Sequence, residues 1–116
     1  MGVELRPAQA LRLIHQTALR QAQDSAPDLT VRQTAILMTI YLEPPPHTVR
    51  GLAARLGVTK PVITRALDTM GAMHLVERRR DPEDRRNVLI RRTVEGSLYV
   101  SRIADRMVEQ AGILAP

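Results

Sequence analysis

The sequence predicts a mainly helical chain that carries one small β-hairpin. Three observations lead there. The 116 residues contain no Phe, no Trp and two tyrosines, Tyr41 and Tyr99. The core must therefore be built from Leu, Ile, Val, Ala and Met, a mix that suits helix-on-helix packing better than a sandwich of sheets. Apolar residues recur at spacings of three and four along most of the chain, the signature of one helical face. The exception is Leu75–Thr93, LVERRRDPEDRRNVLIRRT, where two short runs flank a polar, proline-containing break. Those runs alternate or carry β-branched residues, as strands of a hairpin do.

The elements follow in order. Pro7–Gln23 reads as a helix with Leu11, Ile14, Ala18 and Ala22 on one face, ended by DSAPD. Thr30 opens the next helix; with Gln33 it fits a capping box, in which two side chains satisfy orphan amide donors reciprocally. Ile36, Leu37, Ile40 and Tyr41 form its apolar face, and EPPP stops it because a residue before proline is pushed out of the helical region. Thr48 caps a short helix carrying Leu52, Ala53 and Leu56, closed by Gly57 in a left-handed terminal position. Thr59 is expected to cap the following helix, with Pro61 in its first turn, where a missing N–H does no harm. Gly71 is expected to end that helix after about Met70. Leu75–Arg80 and Val88–Arg92 are the two strands. Thr93 caps a last helix reaching about Ala111, along which Val100, Ala104, Met107, Ala111 and Leu114 follow the 4-3-4-3 spacing of a helix-packing seam. The order is α, α, α, α, β, β, α.

Several function classes fall away. With no cysteine, disulfides, thiol catalysis and Cys-type zinc sites are excluded. No apolar run is long enough to span a bilayer. The first residues, MGVELRPAQALRL, lack a basic head followed by an uninterrupted apolar stretch. A cytoplasmic location without membrane partners is expected. His15, His47 and His74 lie far apart without metal-ligand spacing, Ser25, Ser97 and Ser101 sit in no nucleophile motif, and no phosphate-cradling G-x-x-x-x-G-K-[ST] is present. No enzyme, metal or cofactor is expected. The net charge of +5 and pI near 10.9 suit a polyanionic partner.

The arrangement of the arginines says more than their number. LAARLGVTK joins two short helices through a glycine-containing turn, a helix-turn-helix signature. On a wheel of the second helix, Val62, Ile63, Ala66, Leu67 and Met70 fall on one side and Lys60, Pro61, Thr64, Arg65 and Asp68 on the other. The second side is small, polar and basic toward its N-terminus, as entry into a major groove requires. Lys60 and Arg65 can reach guanine edges or phosphates, and Thr64 a phosphate or a thymine methyl. The arginine-rich hairpin that follows, with seven arginines and no lysine between Leu75 and Thr93, makes this a winged helix. Arginine suits the minor groove because its guanidinium is weakly hydrated. Alternation divides the strand arginines, so Arg79 and Arg91 point differently from Arg78, Arg80 and Arg92, and some hold the hairpin to the domain.

LAARLGVTKPVITRALDTMGAMHLVERRRDPEDRRNVLIRRTVEG resembles the multiple-antibiotic-resistance regulator (MarR) family of winged helix-turn-helix transcription factors, most specifically in DPEDRR and the strand, threonine and EG pair after it. The resemblance covers about residues 30–108. It implies a wing whose tip arginine, Arg86, enters the minor groove while Asp84 orients it across Arg85. It implies one domain over residues 1–116, with a DNA-binding core at 30–93 and dimerisation helices at 5–23 and 94–116. The expected function is a homodimeric, sequence-specific regulator of double-stranded DNA, a repressor on a pseudo-palindromic operator. The expected DNA contacts are Thr48, Thr59, Lys60, Pro61, Thr64, Arg65, Arg80, Asp84, Arg85 and Arg86. A small-molecule effector is expected in a crevice for which His15, Met38 and Tyr41 are candidate liners, since they combine apolar bulk with polar tips. The alternative is a winged-helix module for protein–protein contact. That reading expects a neutral recognition face and no arginine at the wing tip, the opposite of what this chain carries.

Overall fold

The computed structural model describes residues 2–115. They form two compact units, one of residues 29–100 and one built from residues up to 28 together with those from 101 onward. The elements are α1 (Pro7–Gln23), α2 (Val31–Leu42), β1 (His47–Thr48), α3 (Val49–Leu56), α4 (Lys60–Ala72), β2 (Val76–Arg80), β3 (Val88–Arg92) and α5 (Val94–Gly112). None of the helices is long and apolar enough to cross a membrane, among the described residues. The fold is mainly helical with a small antiparallel sheet, as the sequence led one to expect.

In the winged unit the apolar stripes converge. Ile36, Leu37 and Ile40 of α2 meet Ile63, Leu67 and Met70 of α4, and all six are fully buried. Burying a side chain of this size stabilises by about 1.5–3 kcal/mol, so these positions hold α4 rigidly by its inner face. Leu52 and Ala53 of α3, with Val76 and Ile90 of the hairpin, complete the core. The reciprocal bonds of the Thr30–Gln33 box start α2: Gln33 N donates to Thr30 Oγ1 at 3.0 Å and Thr30 N to Gln33 Oε1 at 2.9 Å.

The sheet has three strands in the order β1-β3-β2, all antiparallel. The sequence reading had two; β1 pairs His47 with Ile90 and Thr48 with Leu89, and a pair of residues after a proline run carries no period to detect. Two helix ends also differ. Gly71 does not end α4, which runs on to Ala72; the left-handed residue is His74, at φ 61°. Leu75 N donates to Met70 O at 2.9 Å and His74 N to Gly71 O at 3.0 Å, the paired bonds that close a helix around one left-handed residue. Gly57, at φ 69° and ψ 36°, ends α3 in the same way. Thr59 occupies the cap position of α4, but its side chain makes no cap bond. Cap hydroxyls accept from the second or third helical N–H; Pro61 removes the second, and the third, Val62 N, is not taken up.

Two side chains tie the hairpin to α2. The Tyr41 hydroxyl donates to Leu75 O at 2.7 Å and accepts from Thr93 N at 2.9 Å. Arg92 donates from Nε to Ile40 O at 2.8 Å and from Nη2 to Glu43 O at 3.0 Å. The last turn of α2 has no basic residue of its own, so β3 supplies the cation that a helix C-terminus favours.

In the terminal unit α1 and the later turns of α5 run antiparallel. Arg106 binds Gln21 and Asp24 near one end, and Gln9 Nε2 donates to Ala115 O at 2.8 Å near the other. The buried side chains of this pair are polar, Thr17 and Gln110, with Leu13 and Ile103 half-buried, and the Thr17 hydroxyl has no partner. The apolar stripes lie outside. Leu11 and Ile14 are 70% and 63% exposed, and Met107 of the α5 seam is 43% exposed. Within one chain, the seam expected to pack on a helix is left open.

Candidate nucleic-acid interface

The outer face of α4 is the one the wheel assigned. Lys60, Pro61, Thr64, Arg65 and Asp68 are exposed, while Ile63, Ala66, Leu67 and Met70 are buried. Pro61 fixes the first turn, and Arg65 Nε donates back to Pro61 O at 3.3 Å, so its guanidinium leans toward the helix start. Asp68 is occupied by Arg78 of β2, at 2.8 Å. That ion pair joins α4 to the root of the wing and offsets a carboxylate that would otherwise repel an anion.

The hairpin register sorts the arginines. Val76 pairs with Arg92, Arg78 with Ile90 and Arg80 with Val88, so these residues share the face turned to the helices; Glu77, Arg79 and Arg91 share the other. Arg78 and Arg92 anchor the hairpin, as alternation suggested. Arg79 pairs with Glu77 at 2.8 Å on the outer face.

The wing tip is held by its own carboxylates. Asp81 N donates to Asn87 O at 3.0 Å, closing the strands, and Asn87 N to Asp84 O at 2.9 Å. Asp81 Oδ1 accepts from Glu83 N at 2.9 Å. Asp84 Oδ1 accepts from Arg86 N at 3.1 Å and from Arg86 Nε at 3.3 Å. One carboxylate therefore grips both the backbone and the side chain of the same arginine. The Arg86 side chain is still 90% exposed, oriented at its root and open to solvent. Arg80 Nη1 donates to Arg85 O at 2.8 Å, so Arg80 braces the tip from within, while Arg85 is exposed.

The expected contacts do not all gather in one place. A groove of about 210 Å³ is lined by Thr48, Val49, Arg50, Lys60, Thr64, Arg86, Asn87 and Val88. It brings the start of α3, the start of α4 and the wing together around three cations and no carboxylate. Thr48 is committed to capping, since its Oγ1 accepts from Gly51 N at 2.9 Å. Arg65 lines a second groove of about 500 Å³, between α4 and the start of α2. Thr59 and Pro61 are exposed, and Asp84 and Arg85 remain at the tip. Arg50 was missed by sequence reading. Its signal was available: it stands two residues after a cap, on a helix whose buried positions are Leu52 and Ala53, which leaves it facing out. Of the three candidate effector liners, His15 is exposed on α1 and Met38 is half-buried in α2. Tyr41 has its hydroxyl committed to the hairpin bonds described above.

Residues 29–88 match the sequence model of the MarR family. The chain belongs to the MarR family. This is a family of transcriptional regulators built on the winged-helix fold, and solved structures agree with the assignment. A transcriptional regulator from Thermotoga maritima is 25% identical with a TM-score of 0.69, covering 86% of this chain and 68% of its own. The transcriptional regulator PcaV from Streptomyces coelicolor, solved with its natural ligand, is 26% identical with a TM-score of 0.65 over 95% of this chain and 79% of its own. CouR from Rhodococcus jostii, solved bound to p-coumaroyl-CoA, is 27% identical with a TM-score of 0.63 over 90% of this chain and 69% of its own. No curated protein matches the sequence. The MarR assignment spans the helix-turn-helix and most of the wing, the segment that carries both grooves.

Proposed function

We infer that this MarR-family chain regulates transcription by binding double-stranded DNA as a homodimer, with α4 in the major groove and the wing reaching the adjacent minor groove. The observation that carries this reading is the groove shared by Lys60, Thr64, Arg50 and Arg86. Three cations from three elements converge there, and each phosphate they neutralise releases counterions. Arg86 reads groove width and potential from the tip, and Asp84 fixes its direction. Lys60, Thr64 and Arg65 carry the major-groove contacts, with Thr59, Pro61 and Arg85 beside them. Thr48 and Arg80 support the contact surface from within.

The homodimer reading draws on the apolar stripes of α1 and α5. Leu11, Ile14, Met107 and Val108 are all exposed large apolar residues, and patches of that kind mark an interface. A two-fold dimer matches a pseudo-palindromic operator. Binding across a promoter would block transcription, so the role is that of a repressor. An effector is consistent with the ligands bound in the solved structures of PcaV and CouR. Within the winged unit Met38 is the candidate liner, and Tyr41 contributes its ring while its hydroxyl holds the hairpin. Selection of duplexes from a random pool tests the reading: a two-fold symmetric sequence with half-sites one helical turn apart should emerge. A pool that stays random after repeated rounds would refute it and favour the protein–protein module.

A further inference from the structure

The recognition helix is a ridge between two grooves, and only one of them lies on the wing side. Around α4, Lys60 and Thr64 line the wing-side groove, whereas Val62, Arg65, Ala66 and Thr69 line the other. The second groove is closed by Thr30, Arg32 and Gln33 from the start of α2. Its lining holds two guanidinium groups and no carboxylate. Of the remaining polar groups Thr30 and Gln33 can also donate, while the Thr69 hydroxyl is spent on Arg65 O at 3.2 Å. The bonds of the Thr30–Gln33 box occupy the Thr30 oxygen as acceptor and Gln33 Oε1 as acceptor, which leaves the hydroxyl proton and the Gln33 amide protons as donors. Arg65 spends Nε on Pro61 O and keeps its two terminal nitrogens.

A major groove is about 12 Å wide and a helix with its side chains is about 10–12 Å across, so a helix seated there meets a sugar–phosphate strand on each flank. The wing-side groove serves one strand. We propose that Arg32, acting with Arg65, binds a phosphate of the other strand, so that the two grooves clamp the duplex across α4. This rests on the reading of α4 as the major-groove element. It assigns a contact to α2, outside the helix-turn-helix and the wing. It also assigns Arg65 to the backbone in preference to a base edge. Phosphate contacts set register and carry no sequence information directly.

The test uses the full-length dimer, the duplex it selects from a random pool, and an unrelated duplex of equal length. Affinity is measured from 50 to 200 mM salt. Each lost phosphate contact makes the log–log salt slope shallower by about 0.9, or about 1.8 for a dimer, which is roughly a 12-fold smaller loss of affinity across that range. Arg32→Ala should show this change and should weaken both duplexes by the same factor. Arg32→Lys should restore the slope, and Arg102→Ala, on α5, should leave it near wild type. If wild type binds with a steep slope and Arg32→Ala keeps that slope, the α2 contact is wrong and the DNA-binding reading stands. If Arg32→Ala weakens only the selected duplex, Arg32 reads bases and the proposal is likewise overturned. A wild-type protein without salt-dependent binding would overturn the functional reading itself.

Discussion

Tyr41→Phe removes one oxygen and tests whether that atom fastens the hairpin to the helical core. The hydroxyl bridges both hairpin ends, donating to Leu75 O just before β2 and accepting from Thr93 N just after β3. Phenylalanine keeps the ring and leaves the Thr93 N–H and Leu75 C=O without this partner. A protein hydrogen bond is worth about 0.5–1.5 kcal/mol net, so two give about 1–3 kcal/mol. For a chain of this size that is a fall in melting temperature of about 4–12 °C. Gly96 sharpens the expectation. A Cβ there would lie 1.7 Å from the Tyr41 hydroxyl and 2.2 Å from Leu75 O, so Gly96→Ala forces the same junction apart and should cost more than Tyr41→Phe. In the double variant the clash with the Leu75 carbonyl persists but the hydroxyl bonds are already gone, so the two losses should fall short of additive. Thermal and urea unfolding, followed by circular dichroism, supply the readout. A Tyr41→Phe protein within about 0.5 kcal/mol of wild type, the range of an ordinary surface substitution, would refute the bridging role.

Asp84→Ala should weaken binding to the selected duplex by releasing Arg86, although removing a negative charge beside DNA would by itself strengthen it; tighter binding at moderate salt would reduce Asp84 to a charge offset. Met107→Asp should put a charge into the dimer seam and yield the mass of a single chain by light scattering at micromolar concentration, with duplex binding lost together; a variant that stays dimeric would move the interface elsewhere. Glu43 is held below the usual carboxylate range chiefly by the hydrogen bonds it accepts from Arg55, at 3.1 and 3.0 Å. A depressed folded-state value means stability that is present above the unfolded value and lost as pH falls through the folded one, so Glu43→Gln should flatten the acid limb of the stability–pH curve by a small amount, as befits an exposed pair.

Much of the fold was written in local patterns. The Thr30–Gln33 box, the Thr48 cap and Gly57 each stand where a side chain or a left-handed residue meets a need of two or three neighbours, and such needs show in sequence. The wheel of α4 sorted buried from exposed because one period governs the whole helix. What stayed hidden was set by distant partners. Nothing local marks His47 and Thr48 as a strand until β3 lies beside them. His74 takes the left-handed position in place of Gly71 because the hairpin starts at the next residues and the chain must turn there. Thr59 looked like a cap from its type alone; the proline two residues on removes one of the two donors such a hydroxyl can use, and the other is not taken up. The candidate interface was legible by class, a basic helix face with an arginine-tipped wing. Its division into two grooves was not, because Arg50 and Arg32 come from neighbouring helices that only the tertiary packing brings alongside α4. The roles of Arg78 and Arg92 as braces likewise depend on a carboxylate of α4 and on carbonyls of α2 that only the packing brings near.

The salt dependence of duplex binding by the wild-type protein tests the central claim most directly. If Arg50, Lys60 and Arg86 each neutralise one phosphate, or sit in the equivalent potential, a dimer should give a log–log slope of about −5, and the two clamps on α2 should steepen it to about −7. A slope near zero on every duplex tried would contradict the account, because a surface with these cations turned outward cannot grip a polyanion without releasing its counterions.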